Sequence, residues 1–500
     1  MNNTRFRCHP SIILEQLGSF FFIVLVFGFN LLTSFLESPD DASFELPTQY
    51  VILGILGFLG IMFLFIGYRY LIWSKTWISI QDDSLVYEKN TFTKKVNTIG
   101  IQSISNINME QNILERILGT CKVKLDTNSL TTANQNDLAI VLKKSHALEL
   151  KQYLLSIVSE TSKDEPFEIR DTEEMGYDFV ASVTDVVKHS LFMLSPFTCI
   201  ALVFSAGFVF LQFSDALHAT QESKGFLSVL VNILVILFIL YSTLSGALKG
   251  FFGYYGFRAK RQENKIILSY GFFKKINYEI PVDKINAVEI VQPLFCRIFK
   301  RYCVELVNVG LTDEGNSSKA HLILACKLED LEKQLSILLP EISTDLITKV
   351  QRQPKRVVFY YFYAVLCTLL GLSFGFGLFL FISQSFTFLS EVDVILPIVL
   401  IMAFIILLLI LSLYLQHRVA GTYIGEHYLV TATGFTSRKY TIVKYANIQY
   451  ITTIQNWVIR KLNLTQGMFF LLADIGNQTK VLPHMEEVQF DELKKRIYDF

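Results

Sequence analysis

Three Gln/Arg couples recur along the chain with one internal spacing: Gln111 precedes Arg116, Gln292 precedes Arg297 and Gln455 precedes Arg460, each by five residues. A guanidinium is a planar fork of N–H donors that keeps its charge and suits carbonyl, carboxylate or phosphate oxygens. Set among apolar residues, as these three are, it fits a turn in which it holds backbone carbonyls and fixes a fold, or else a binding contact at a strand rim. A second recurring chemistry stands upstream of each couple, the basic pairs Lys94-Lys95, Lys274-Lys275 and Arg438-Lys439. Such a pair is either a solvated strand face or a contact with anionic lipid headgroups, which attract each nearby basic residue by about 1 kcal/mol.

The remaining reactive residues form no further constellation. There is no Gly-x-Ser-x-Gly, no His-Glu-x-x-His, no Walker loop and no Gly-x-Gly-x-x-Gly, so neither an enzyme nor a bound cofactor is expected. The eight His (His9, His146, His189, His218, His321, His417, His427 and His484) lack metal-ligand spacing and read as surface or boundary residues. The seven Cys contain no Cys-x-x-Cys pair, which speaks against zinc and against a disulfide framework. Lys plus Arg and Asp plus Glu are both 45, so no global charge draws the chain to nucleic acid.

The couples belong to larger repeats. Seven residues before each Gln stands an Ile (Ile104, Ile285, Ile448), and four before it a β-branched residue (Ile107, Val288, Ile451). Matched features at a period of roughly 160 to 180 residues mean repeated domains, since solenoid units are only 20–50 residues long. Each repeat holds a polar segment, at 76–160, 251–345 and 419–500. The segments open on strands (Leu85-Val86-Tyr87, Ile266 to Tyr270, Tyr428-Leu429-Val430), and each strand precedes a residue that tolerates positive φ: Asn90, Gly271 or Gly434. They close on helical patterns at Leu148–Val158, Leu328–Leu339 and Val488–Tyr498. Antiparallel strands capped by a terminal helix make an α+β module. Residues 161–188, acidic at the start, read as a linker.

Composition supplies the setting. Hydrophobic residues make up 51% and charged residues 18%, with a mean hydropathy of +0.40, which points to membrane spans. Six apolar runs fall into three hairpins (10–75, 189–250 and 355–418): Leu17–Leu36 with Tyr50–Trp73, Leu191–Phe213 with Phe226–Leu248, and Val357–Ile382 with Val392–Leu415. Each run can cross a core of about 30 Å. The connecting loops carry Glu37, Asp40, Asp41, Glu45, Asp215, Glu222, Glu391 and Asp393 against a lone Lys224, whereas Arg5, Arg7, Lys75, Lys188, Lys249, Arg258, Arg352, Lys355, Arg356 and Arg418 stand at the other ends. The positive-inside rule then puts both termini and all three modules in the cytoplasm. The spans hold almost no ionisable residue, which argues against a transport pathway.

The runs Ile285-x6-Gln292-x4-Arg297-Ile298-Phe299 and Gln111-Asn112-Ile113-Leu114-Glu115-Arg116-Ile117-Leu118-Gly119 resemble the signature of bacterial pleckstrin-homology-like membrane proteins, a family formerly of unknown function. Nearly the whole chain fits three tandem units of transmembrane hairpin plus module. The resemblance implies a bent antiparallel sheet closed by a C-terminal helix in each copy. The Gly that usually follows the Arg is kept as Gly119 but is Lys300 and Asn463 in the later copies, so a different turn is expected there. The resemblance also implies a multi-pass cell-membrane scaffold without enzymatic activity, working by protein assembly or inner-leaflet lipid contact. Its expected partners are anionic lipid, a smaller membrane protein of the same kind or a second copy, and envelope-stress defence is the expected setting. The competing reading is a transporter or lipid-handling protein with the six spans as its pathway.

Overall fold

A computed structural model describes residues 5–14, 48–81, 83–91, 94–127, 138–161, 176–196, 198–200, 203, 207, 245, 246, 248–308, 320–383, 395–472 and 479–499. The first module contains β1 (Arg5–Phe6), α1 (Thr48–Ser74), β2 (Thr76–Gln81), β3 (Ser84–Asn90), β4 (Lys94–Gly100), β5 (Ile104–Gln111), α2 (Ile113–Ile117), β6 (Thr120–Thr127), β7 (Leu138–Lys143) and α3 (Lys144–Thr161). The second runs through β8 (Phe179–Val180), α4 (Val183–Phe192), β9 (Arg258–Gln262), β10 (Lys265–Tyr270), β11 (Lys275–Pro281), β12 (Ala287–Gln292), α5 (Leu294–Ile298), β13 (Tyr302–Val307), β14 (Ala320–Cys326), α6 (Leu328–Leu338) and α7 (Asp345–Thr348). The third repeats the order with β15 (Gln351–Arg352), α8 (Val357–Ser383), α9 (Ile395–Val419), β16 (Gly421–Ile424), β17 (Tyr428–Thr433), β18 (Arg438–Lys444), β19 (Ile448–Ile454), α10 (Trp457–Lys461), β20 (Leu464–Leu471), β21 (Thr479–Glu486) and α11 (Glu487–Tyr498).

Each module is an antiparallel meander of four strands, then three strands, closed by its terminal helix. The short first strand of each, β1, β8 or β15, lies before the hairpin in sequence yet pairs with the strand after it. The hairpin is thus inserted into the module rather than placed ahead of it. That is why the presumed linker to residue 188 turns out to contain β8 and most of α4. Arg7, read from sequence as a topology signal, stacks its guanidinium 3.7 Å above the Trp77 ring, and Trp73 Nε1 donates to the Cys8 carbonyl at 2.8 Å.

The expected tight turns form, with one exception. Gly271 and Gly434 take φ of +109° and +118°, and a Cβ there would fall 1.9 and 2.2 Å from the carbonyl oxygens of Lys274 and Ser437. Asn90 stands in the matching place without positive φ; one turn earlier, Asp83 (φ 57°) and its counterpart Glu263 (φ 49°) are both left-handed. Gly119, Lys300 and Asn463 all adopt positive φ, at 67°, 51° and 54°. The turn after the Arg is therefore the same in all three copies, and two of them hold it against the steric preference of an L side chain.

Val357–Phe379 and Ile398–Val419 are each long and apolar enough to cross a membrane, and α1 covers the run read at Tyr50–Trp73. The run at Leu17–Leu36, nearly all of Phe226–Leu248 and most of Leu191–Phe213 lie outside the described residues.

The sheets do not stop at module boundaries. One seven-stranded sheet runs β7-β6-β5-β11-β10-β9-β8 and a second runs β14-β13-β12-β18-β17-β16-β15. Module 1 donates three strands to the sheet that opens module 2, and module 2 does the same for module 3. Every residue of β12 is buried as a result. Val288 and Ile290 join the core of module 2, which also takes in Val430, Ala432, Tyr440 and Ile442 of module 3. Ala287 lies on the opposite face in the core of module 3. A strand covered on both faces favours apolar residues throughout, which Val288, Ile290 and Val291 satisfy and Glu289 does not.

Candidate functional site: the joints between modules

The two joints are built alike. At the first, β5 pairs with β11 in the register Gln111 to Lys275, Glu110 to Ile276 and Met109 to Asn277. At the second, β12 pairs with β18, Gln292 to Arg438, Val291 to Lys439 and Glu289 to Thr441. The signature Gln thus faces the same position of the incoming strand both times. Its side chain is spent inside its own module: Nε2 of Gln111, Gln292 and Gln455 donates to the carbonyls of Thr120 (2.7 Å), Arg301 (3.0 Å) and Leu464 (3.3 Å), closing the loop around the short helix. That helix starts where a cap satisfies its free N–H groups, Asn112 with Glu115 as a capping box in α2 and Asn456 on the Ile459 amide in α10.

The signature Arg works across the joint. Arg116 Nη1 donates to the carbonyl of Phe272 at 3.0 Å and Arg297 Nη1 to that of Phe435 at 3.2 Å. Both acceptors sit in the turn leading into the next module's edge strand, three residues before Lys275 and Arg438. Of the two sequence readings, backbone-carbonyl capture describes the geometry, but the carbonyl belongs to the neighbouring module. Among the described residues the exposed guanidinium of Arg460 meets no carbonyl or carboxylate.

Each joint encloses a carboxylate held by two lysines. Glu110, 2% exposed, receives Lys124 and Lys274, both with Nζ at 3.0 Å from Oε2. Glu289, fully buried, receives Lys439 at 3.1 Å and Lys480 at 2.7 Å. Both glutamates lie on the sheet face turned to the following module, since Ile107 and Met109, and Val288 and Ile290, fill the opposite faces. In both joints the captured lysine stands two residues before the one directly opposite the glutamate, a diagonal cross-strand contact. A charge this deep is tolerated because it is paired.

The basic pairs therefore divide. Lys274 and Lys439 turn to buried carboxylates of the preceding module. Lys275 is half-buried, and Arg438 donates to the Tyr440 hydroxyl at 3.1 Å. Lys94 and Lys95 lie exposed on β4, a strand paired on one side only among the described residues, with Lys94 3.2 Å from Glu88. The hairpin registers also correct the alignment of these pairs. Asn90 to Lys94 and Thr433 to Lys439 fix Lys94 and Arg438 as equivalents, whereas Tyr270 to Ile276 makes Lys275 their counterpart. The pair Lys274-Lys275 is thus one residue out of step. Around that turn, the rings of Phe272 and Phe273 pack at a tilt against Phe252, and Phe272 meets Tyr255 edge to face, where the chain leaves the second hairpin.

Three histidines overturn the expectation of surface positions. His189 of α4 is fully buried, 4.9 Å from the Tyr254 ring and 5.0 Å from His321, which stands 3.9 Å from Glu305. Burial, reinforced by His321, holds His189 well below the usual imidazole pKa, and burial raises that of Tyr254. Cys296 and Cys303 lie beside them with sulfurs 3.9 Å apart, both as free thiols. His484 of β21 packs against Tyr360 and Tyr361, and burial brings its pKa down to about 4. Gln353 bridges the Tyr361 hydroxyl and His417 Nδ1 at 3.0 and 2.8 Å. These clusters pack hairpin bases against modules. Among the described residues no group of His, Cys, Asp and Glu is arranged to hold a metal ion.

The sequence profile of the bacterial PH domain matches residues 21–158, 202–338 and 378–497. A relative in Bacillus subtilis (strain 168), the UPF0699 transmembrane protein YdbT, is 23% identical over 327 residues, covering 61% of this chain and 64% of that protein. No solved structure matches the chain.

Proposed function

The chain belongs to the bacterial PH-domain family, and we propose that it is a non-enzymatic scaffold of the cell membrane, in which six spans form three hairpins that carry one continuous array of modules on the cytoplasmic side. The pair of shared seven-stranded sheets carries this reading. Strands exchanged at fixed register, with buried ion pairs at both crossings, give an array of set spacing, which suits a platform for assembly. Membrane residence is supported by the apolar helices and by the relative's description as a transmembrane protein. The orientation rests on acidic connecting loops opposed to basic hairpin ends. Inner-leaflet lipid falls to the basic residues left at the surface, Lys94 and Lys95 foremost. The protein partner is a membrane protein bearing the same module, a smaller one or a second copy of this chain, and the setting is defence against envelope stress.

The topology is tested by single-cysteine labelling of intact cells. Reporters replacing Ser43, Ser223 and Ser390 should react with an impermeant reagent from outside, and those replacing Ser129, Ser317 and Ser437 should not; labelling at Ser317 would overturn the scheme. Replacing Asn30, Gln212 and Asn232 by Leu should leave function intact, because these groups serve only packing in a scaffold. Loss of function with normal expression would favour a pathway through the spans.

A further inference from the structure

Each internal joint needs an acceptor, formed by a β5-type strand with its signature Arg, and a donor, formed by a β4-type strand with its turn carbonyl. Both kinds of half-joint are also present unfilled. In β19, the counterpart of β5 and β12, every residue from Thr452 to Ile454 is exposed, and Tyr450 and Ile454 are 53% and 42% exposed; β12 is buried throughout. Among the described residues, strand β19 pairs only with β20, and β4 pairs only with β3. Nearby, the guanidinium of Arg460 meets no acceptor among the described residues, although its two counterparts both hold a turn carbonyl of the next module.

We propose that β19 and Arg460 of one copy take up β4 and the turn carbonyl of Thr91 of a second copy, in a head-to-tail joint of the kind the chain already makes twice within itself. This rests on the scaffold reading and extends it to the partner. Carrying over the internal register sets Gln455 opposite Lys94, Thr453 opposite Val96 and Thr452 opposite Asn97. Val96, 48% exposed in the isolated chain, would be covered. From Ile448 to Gln455 the acceptor strand carries no charge, so the like charge that Lys94 approaches is that of Arg460, as Arg438 approaches Arg297 at the internal joint. The strand carries no carboxylate either. Thr452 occupies the place of Glu289, and Lys95 the place of Lys439, so this joint lacks the diagonal ion pair of the internal ones. The structure thus specifies a weaker, reversible contact between copies. Because acceptor and donor are different surfaces, the contact is heterologous and propagates along the membrane as a row.

The test uses the full chain in native membrane with two differently tagged copies, one carrying Thr453→Cys and the other Val96→Cys. Mild oxidation should link the two tagged copies, while Thr452→Cys with Val96→Cys, which points to opposite faces, should give at least fivefold less product. Arg460→Ala should reduce the yield severalfold. Thr452→Glu, which supplies the missing partner for Lys95, should raise it severalfold, and adding Lys95→Gln should cancel the gain. Equal yields from matched and mismatched pairs, or no response to Thr452→Glu, would overturn the proposal, as would linkage of Thr453→Cys to a different polypeptide in place of a second copy. The readout concerns only contacts between copies, so a negative result would leave the internal joints and the scaffold reading standing.

Discussion

Replacing Glu289 by Gln removes a charge that two lysines share at the second joint. Lys480 is 9% exposed at its side chain and Lys439 32%, so the two losses are unequal. Lys439 can turn to water, and its share falls toward the roughly 0–1 kcal/mol of a surface pair. Lys480 cannot do so without opening the module, and breaking a buried pair from one side typically costs about 3–5 kcal/mol. A loss of about 3 kcal/mol is therefore expected, placed at the joint because Glu289 belongs to module 2 and both lysines to module 3. Hydrogen exchange on the full chain reads this directly: amides of Val288–Gln292 and Arg438–Ile442 should exchange roughly a hundredfold faster if they open locally. Those of β20 should change little. Lys480→Met in the same chain should recover most of the loss, because it removes the stranded ammonium while keeping its apolar stem. Unchanged exchange across β12 and β18, or equal acceleration throughout β20 and β21, would refute the reasoning.

Arg297→Ala should destabilise the Gly434 to Ser437 turn by about 1 kcal/mol, the typical worth of an exposed hydrogen bond, with faster exchange there and no change in the Gln292 loop. Lys300→Gly should raise the melting temperature, because relief of the left-handed strain, about 1–2 kcal/mol, exceeds the about 0.5–1 kcal/mol entropic cost of glycine; calorimetry in detergent checks the sign. His484 carries a folded pKa of about 4 against 6.5 unfolded. The unfolded chain therefore binds the proton first, and stability is lost as pH falls from 6.5 toward 4, by about 2 kcal/mol at pH 5. Thermal unfolding at pH 7 and pH 5 should show this drop, and His484→Phe should flatten it.

The repeat itself was legible because its carriers are local. Each Gln bonds a carbonyl nine residues away in sequence, so the spacing to its helix and Arg is fixed by a short loop and recurs wherever that loop recurs. Hairpins and terminal helices were legible for the same reason, through alternation, glycine turns and three- and four-residue steps. The common turn at Gly119, Lys300 and Asn463 was not, because the surrounding strands impose left-handed backbone on residues that would not choose it. Nor did sequence distinguish Glu289 from any other acid on an alternating strand. What buries it is β18, 149 residues or more downstream, together with Lys480 beyond that. Which module an Arg serves, and which lysine of a basic pair goes to a carboxylate, depends on strand pairing between distant segments. A local pattern carries no record of its partner, so the tertiary structure alone decided that the three modules are joined into one array.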